Sequence, residues 1–137
     1  MNYWLIKSEP FKYPYEQLEK DGVTFWDGVR NFQARNYLMA MQPGDFCLFY
    51  HSNEGKEIVA IAMVVKAHYP DPTAEADSGW VVVDVAPHQR LQKSVTLQDI
   101  KADELLKNMA LVKQSRLSVM PVTKAEFDRV CMLGMYL

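Results

Sequence analysis

At 137 residues, with 49% hydrophobic and 23% charged side chains, the chain has the length and balance of one ordinary globular domain spanning 1–137. A net charge of −2 excludes a non-specific nucleic-acid coat, which needs a strongly basic face, but leaves room for reading one or two nucleotides in a pocket. No apolar run reaches the roughly 20 residues of a membrane helix, and the opening Met1-Asn2-Tyr3-Trp4-Leu5-Ile6-Lys7 lacks the features of a signal peptide, so the expected setting is cytoplasmic, nucleoid or nuclear, not secreted.

In chain order, residues 3–7 read as a strand ended by Ser8-Glu9-Pro10. Pro14 opens a short helix through Leu18, and Asp21-Gly22 turns the chain toward a brief extended piece at residues 23–26. Asn31 is placed as the N-cap of a helix on which Ala34, Tyr37, Leu38 and Met41 recur at helical spacing. Residues 46–50 and 58–66 are β-branched and aromatic, and predict two strands joined by the loop Ser52-Asn53-Glu54-Gly55-Lys56. Tyr69-Pro70-Asp71-Pro72-Thr73 reads as loop, because two prolines two apart deny both ladder and helix. Residues 74–79 are small and acidic and are expected to be exposed.

The unbroken valines within residues 80–85 predict a strand buried on both faces, and residues 87–91 extend toward another. Thr96-Leu97-Gln98-Asp99-Ile100 is a capped short helix, and Asp103-Glu104-Leu105-Leu106 begins a second. Residues 118–122 are extended. Thr123-Lys124-Ala125-Glu126 is a capping box that opens a helix running to Gly134. Many short strands broken by short helices predict an α+β architecture: a small barrel with helices at its ends, or an open mixed sheet. Cys47 and Cys131 lie far apart within apolar patterns and read as buried thiols, with no metal-ligand spacing around either and no cofactor motif in the chain.

The densest chemistry lies in Trp26-Asp27-Gly28-Val29-Arg30-Asn31-Phe32-Gln33-Ala34-Arg35-Asn36, which gathers an indole, two guanidiniums, a carboxylate and three amides around one glycine turn. Tyr50-His51-Ser52-Asn53 and Arg116-Leu117-Ser118-Val119 share this character. The three stretches are expected to converge on a pocket for a planar nucleobase. Trp26 is the first choice for the stacking ring, with Tyr50 and Trp80 behind it, because an aromatic face replaces the stacking a flipped-out base loses. Trp4, within the first strand, reads as core. Asn31 and Asn53 offer amide donors and acceptors for a base edge, although a helix cap and a turn would account for them equally. Ser8, Ser52 and Ser118 add hydroxyls. Lys7, Arg30, Arg35 and Arg116 are the candidates for phosphate or base contact, and Val29 or Leu117 for an apolar wall.

Tyr3-Trp4-Leu5-Ile6-Lys7-Ser8-Glu9-Pro10 resembles the opening signature of the EVE domain family, and Trp26-Asp27-Gly28-Val29-Arg30-Asn31 with Gln33-Ala34-Arg35-Asn36 resembles its second. Gly44-Asp45 with Phe49-Tyr50-His51-Ser52-Asn53, then residues 69–73, then residues 116–122 continue the match along essentially the whole chain. The resemblance implies a PUA-like pseudo-barrel of mixed strands with surrounding short helices, and kinship with YTH, ASCH and SRA groups that recognise nucleic acids. It implies a non-catalytic reader that holds a modified base, 5-methyl- or 5-hydroxymethylcytosine in DNA, with nucleic acid as partner and no membrane. A reader of modified RNA, or a receptor for a small nucleotide or an adaptor, are the alternatives. Nothing in the residues favours an enzyme: there is no Gly-x-Ser-x-Gly elbow, no His-x-x-x-His and no phosphate loop, and His51 and Ser52 point to opposite faces of a strand.

Overall fold

The computed structural model describes residues 1–135. Six strands, β1 (Tyr3–Ser8), β2 (Thr24–Phe25), β3 (Phe46–His51), β4 (Glu57–Pro70), β5 (Val81–Thr96) and β6 (Val119–Val122), form one mixed sheet in the order β2-β5-β4-β3-β1-β6. Five helices cover it: α1 (Tyr15–Asp21), α2 (Phe32–Ala40), α3 (Leu97–Ala102), α4 (Ala110–Lys113) and α5 (Lys124–Leu133). β1 runs parallel to β3 and antiparallel to β6, and the remaining pairs are antiparallel.

The parallel β1–β3 pair decides where the site lies. A parallel connection needs a long crossover, here residues 9–45, which carries α1, β2 and α2 over the sheet. Ligands collect beyond the carboxyl ends of parallel strands, where such a crossover departs. The carboxyl end of β1 meets the start of β6, with the Lys7 amide donating to the Ser118 carbonyl at 3.0 Å. Register shifts at Ile58/Ala60, Ile61/Ala62, Val64/Lys66 and Lys66/Tyr69 mark bulges along β4 and β5, which strengthen twist and curl. The sheet therefore bends round until β2 and the β6 end, its two opposite edges, face one cavity lined by Thr24, Phe25 and Ser118. This is the mixed PUA-like pseudo-barrel, open along a seam: backbone hydrogen bonds do not close the ring, so the fully closed barrel gives way to an unsealed sheet.

The core is one cluster around Leu5, Ile6, Leu48, Phe49, Ile61 and Val83, capped by Leu18 of α1, Leu38 of α2 and Phe127 and Val130 of α5. Val81, Val82, Val83 and Val85 are all buried, as a strand covered on both faces should be. Trp4 is buried too, its indole N–H donating at 3.0 Å to the buried Asp45 carboxylate. Asn31 caps α2 by accepting from the Ala34 amide at 2.9 Å, and Thr123 and Glu126 form the capping box of α5.

Three local expectations are corrected. Tyr69 and Pro70 are strand, paired with Val82 and Val81; Pro70 is tolerated because it is the last residue of β4, so the loop begins at Asp71. Residues 87–91 lie in the middle of β5, where a register shift accommodates Pro87. Residues 103–106 form turns, because the Asp103 carboxylate takes the Leu105 amide at 2.9 Å; the helix is delayed to Ala110–Lys113. Cys47 and Cys131 are both free; Cys47 is buried as expected, whereas Cys131 on α5 is only half-buried. No helix among the described residues is long and apolar enough to cross a membrane, and these residues hold no cluster of metal-ligating groups.

Candidate functional site

The seam cavity has a volume of about 640 Å³. Lys7 and Ser8 enter it from the end of β1, Ser118 from the approach to β6, and Trp26 from the end of β2. Glu9, Lys12 and Tyr13 come from the crossover, and Asp27, Gly28 and Val29 from the turn before α2.

Trp26 is 8% exposed. Phe49 meets its ring edge-on at 5.5 Å, Tyr13 at 6.1 Å, and its amide donates to the Val83 carbonyl at 2.8 Å. The indole is thus a fixed wall with a small face open to the cavity. Burial lifts the Tyr13 phenol to about 12, while a hydrogen bond with Thr24 works the other way and the Asp21 carboxylate adds to the rise. The Lys7 amine donates to the Ser115 carbonyl at 2.8 Å and stands 5.8 Å from the Tyr50 ring, and burial holds its pKa below the ordinary lysine value. Ser8 directs its hydroxyl proton to the Tyr13 carbonyl at 2.6 Å, which leaves its lone pairs for a ligand donor.

Four of the sequence-selected residues, Lys7, Ser8, Trp26 and Ser118, therefore share the cavity, and Val29 supplies an apolar wall. Tyr50, 3% exposed, lies beneath Lys7 and does not line the cavity. Ser52 and Asn53 do not line the cavity but bond to residues that do. The Ser52 amide donates to the Ser8 carbonyl at 2.9 Å, and the Asn53 carboxamide donates to Glu9 from a left-handed turn at φ 63°.

The rest lie elsewhere. Asn31 and Arg116, with Leu117, line a separate depression of about 340 Å³. Arg30 turns away to Asp71, at 3.0 Å. Trp80 stacks on Phe32 at 5.1 Å, with the Arg35 guanidinium 5.0 Å from the Phe32 ring and 5.8 Å from Trp80.

Asp71 is the residue whose role the sequence did not reveal. It is 4% exposed and accepts from the Gly28 amide at 3.1 Å, from Arg30, and from the Thr73 amide and hydroxyl at 2.7 and 2.6 Å. Burial alone would raise its pKa, but the bonds from Thr73, Arg30 and Gly28 outweigh burial and bring it to about 2. The carboxylate pins the Gly28 turn, whose φ of 78° suits glycine, to a loop 43 residues away. The sequence marked it as a lone acid between two prolines, within a stretch that matches the family, but gave no partner for it. Glu9, Lys12 and Tyr13 were also missed, since nothing local shows that the crossover folds back over the end of β1.

The cavity can take a flat, partly polar ligand. Its volume falls within the usual small-ligand range of about 300–1,000 Å³, and its wall mixes Phe25, Trp26 and Val29 with polar and charged side chains. His51 is not poised as a base toward it: Nε2 accepts from the Tyr15 amide at 3.3 Å, and burial lowers its pKa.

A family model described as "EVE domain" matches residues 2–133. Thymocyte nuclear protein 1 of Gallus gallus is 37% identical, over 96% of this chain and 68% of its own length. A crystal structure of a protein from Agrobacterium tumefaciens is 47% identical with a TM-score of 0.96, covering 98% of this chain and 93% of that one. The structure of human THYN1 protein in complex with 5-methylcytosine-containing DNA is 34% identical with a TM-score of 0.92, covering 100% and 99%.

Proposed function

The chain belongs to the EVE domain family, and from that premise we propose that it is a non-catalytic reader that holds one modified base of DNA, 5-methyl- or 5-hydroxymethylcytosine, in the seam cavity. The observation that carries this reading is the gathering of Trp26, Lys7, Ser8 and Ser118 from three distant segments into one cavity. The structural match to a relative bound to 5-methylcytosine DNA supports it.

In this reading the base leaves its stack, at a cost of a few kcal/mol, and the open face of Trp26 returns part of that by contact. Ser8 accepts from, and Ser118 can donate to, the edge of the base. The Lys7 amine, fixed by the Ser115 carbonyl, faces a carbonyl of the base or the adjoining phosphate. Val29 receives the methyl group. One buried methyl contributes only about 0.8 kcal/mol, roughly four-fold in affinity, so stronger discrimination comes from the penalty of leaving an unmodified site imperfectly filled.

The test is a titration with otherwise identical DNA strands carrying cytosine, 5-methylcytosine or 5-hydroxymethylcytosine, beside the corresponding RNA. Tighter binding of a modified DNA strand is expected. Equal weak binding to every strand overturns the proposal, and preference for the modified RNA replaces DNA with RNA as the partner.

A further inference from the structure

We infer that Phe32 and Trp80 form a second, external stacking platform, for the nucleotide that flanks the base held in the seam cavity. The inference rests on the reading of that cavity and extends it to the neighbouring nucleotide.

Phe32 is the first residue of α2 and is 65% exposed. It is not loose: its ring lies within 20° of parallel to Trp80. Arg35 reaches over both rings, and Arg30 stands 5.7 Å from Trp80. Arg35 Nε is buried with no hydrogen-bond partner among the described residues, although its guanidinium also reaches Asn36 at 3.3 Å. A guanidinium laid on aromatic faces keeps its edge N–H groups free for an anion.

A π face flanked by Arg35, with Arg30 beside it but paired to Asp71, has the composition of a single-strand contact: rings stack on any base, and the Arg35 guanidinium meets the phosphate beside it. The charge selects this occupant over an apolar protein surface, which would have to desolvate the Arg35 guanidinium without giving it an anionic partner, Arg30 being already held by Asp71. Placement agrees. Val29 lines the cavity and Phe32 follows three residues later, so the platform lies at most about 11 Å along the chain from the cavity wall. An upper bound of that length keeps the platform within reach of a nucleotide beside the held base.

The experiment compares wild type with Phe32→Leu, Phe32→Ala and Phe32→Trp, using the free 5-methyldeoxycytidine nucleoside and a seven-nucleotide strand with the same base at its centre. Leucine keeps apolar area but removes the π face, whereas tryptophan restores it. We expect the alanine and leucine variants to bind the strand roughly ten-fold more weakly, tryptophan to match wild type, and all four proteins to bind the nucleoside alike. Thermal unfolding, which an exposed ring should barely affect, is recorded for each. Equal strand binding by all four overturns the platform and leaves the cavity reading intact. If wild type binds the strand but not the nucleoside, and the Phe32 pattern holds, the platform stands and the cavity reading falls. No strand binding by wild type overturns both. A change in sedimentation without a change in strand affinity assigns the patch to contact between copies of the chain and overturns the platform.

Discussion

Residues 26–36 make two unlike surfaces. At one end, Trp26 is wedged between Phe49 and Tyr13 and shows the cavity only a narrow face. Six residues later, Phe32 stands in solvent on Trp80 under two arginines. The division falls at Gly28–Arg30, where Asp71 grips the turn from the far loop. In the proposed reading the first surface selects by shape, because its walls cannot move without disturbing the core. The second suits any base, because its contacts are a ring face and long cationic side chains.

Trp26→Ala should break this contrast most severely. Binding of a methylated strand should fall about a hundred-fold. Stability should also fall by about 3–5 kcal/mol, as for other large aromatic truncations in a core. Denaturant unfolding and titration of the folded fraction measure the two separately. Unchanged affinity in folded protein would move the ligand away from the indole. Asp71→Ala should come next, at about 3 kcal/mol, because the Gly28 amide, the Thr73 amide and hydroxyl and the Arg30 guanidinium lose one shared buried acceptor together. Base affinity should drop with it, since the Asp27–Val29 wall is released. A variant that unfolds at the wild-type denaturant midpoint would show that the pin carries no load.

The same carboxylate sets an acid limit. Its folded pKa is depressed from 3.8 to about 2, so its contribution is complete above pH 4 and disappears as pH falls toward 2. The difference in stability between wild type and Asp71→Asn should therefore shrink by about 2 kcal/mol over that interval. A difference that stays constant with pH would contradict a depressed pKa. The smallest effect is expected from Asn31→Ala, about 1 kcal/mol for a lost helix cap with base affinity unchanged. A fall in affinity comparable to that of Trp26→Ala would bring Asn31 into the base site after all.

Much of the local structure could be read directly. The Asn31 cap, the Thr123–Glu126 capping box and the buried valines of β5 depend on side chains within a few residues of one another. Asp103 shows the limit of such reading: its carboxylate answers both the Leu105 amide and Arg129, 26 residues on, so a segment with helical composition becomes a turn. The candidate site was legible in smaller part. Lys7, Ser8, Trp26 and Ser118 were selected by type and do share a cavity, whereas Asn31 and Arg116 fell into a neighbouring depression.

The sequence by itself determined most element types, the turn glycines, the helix caps and the ordered motifs of the family, because each is fixed by neighbours along the chain. Only the tertiary structure decided which polar groups face one another. Bulged β4 and β5 curl the sheet until its two unpaired edges confront each other, and the residues on that seam are neighbours through strand register and crossover path, which no local spacing encodes.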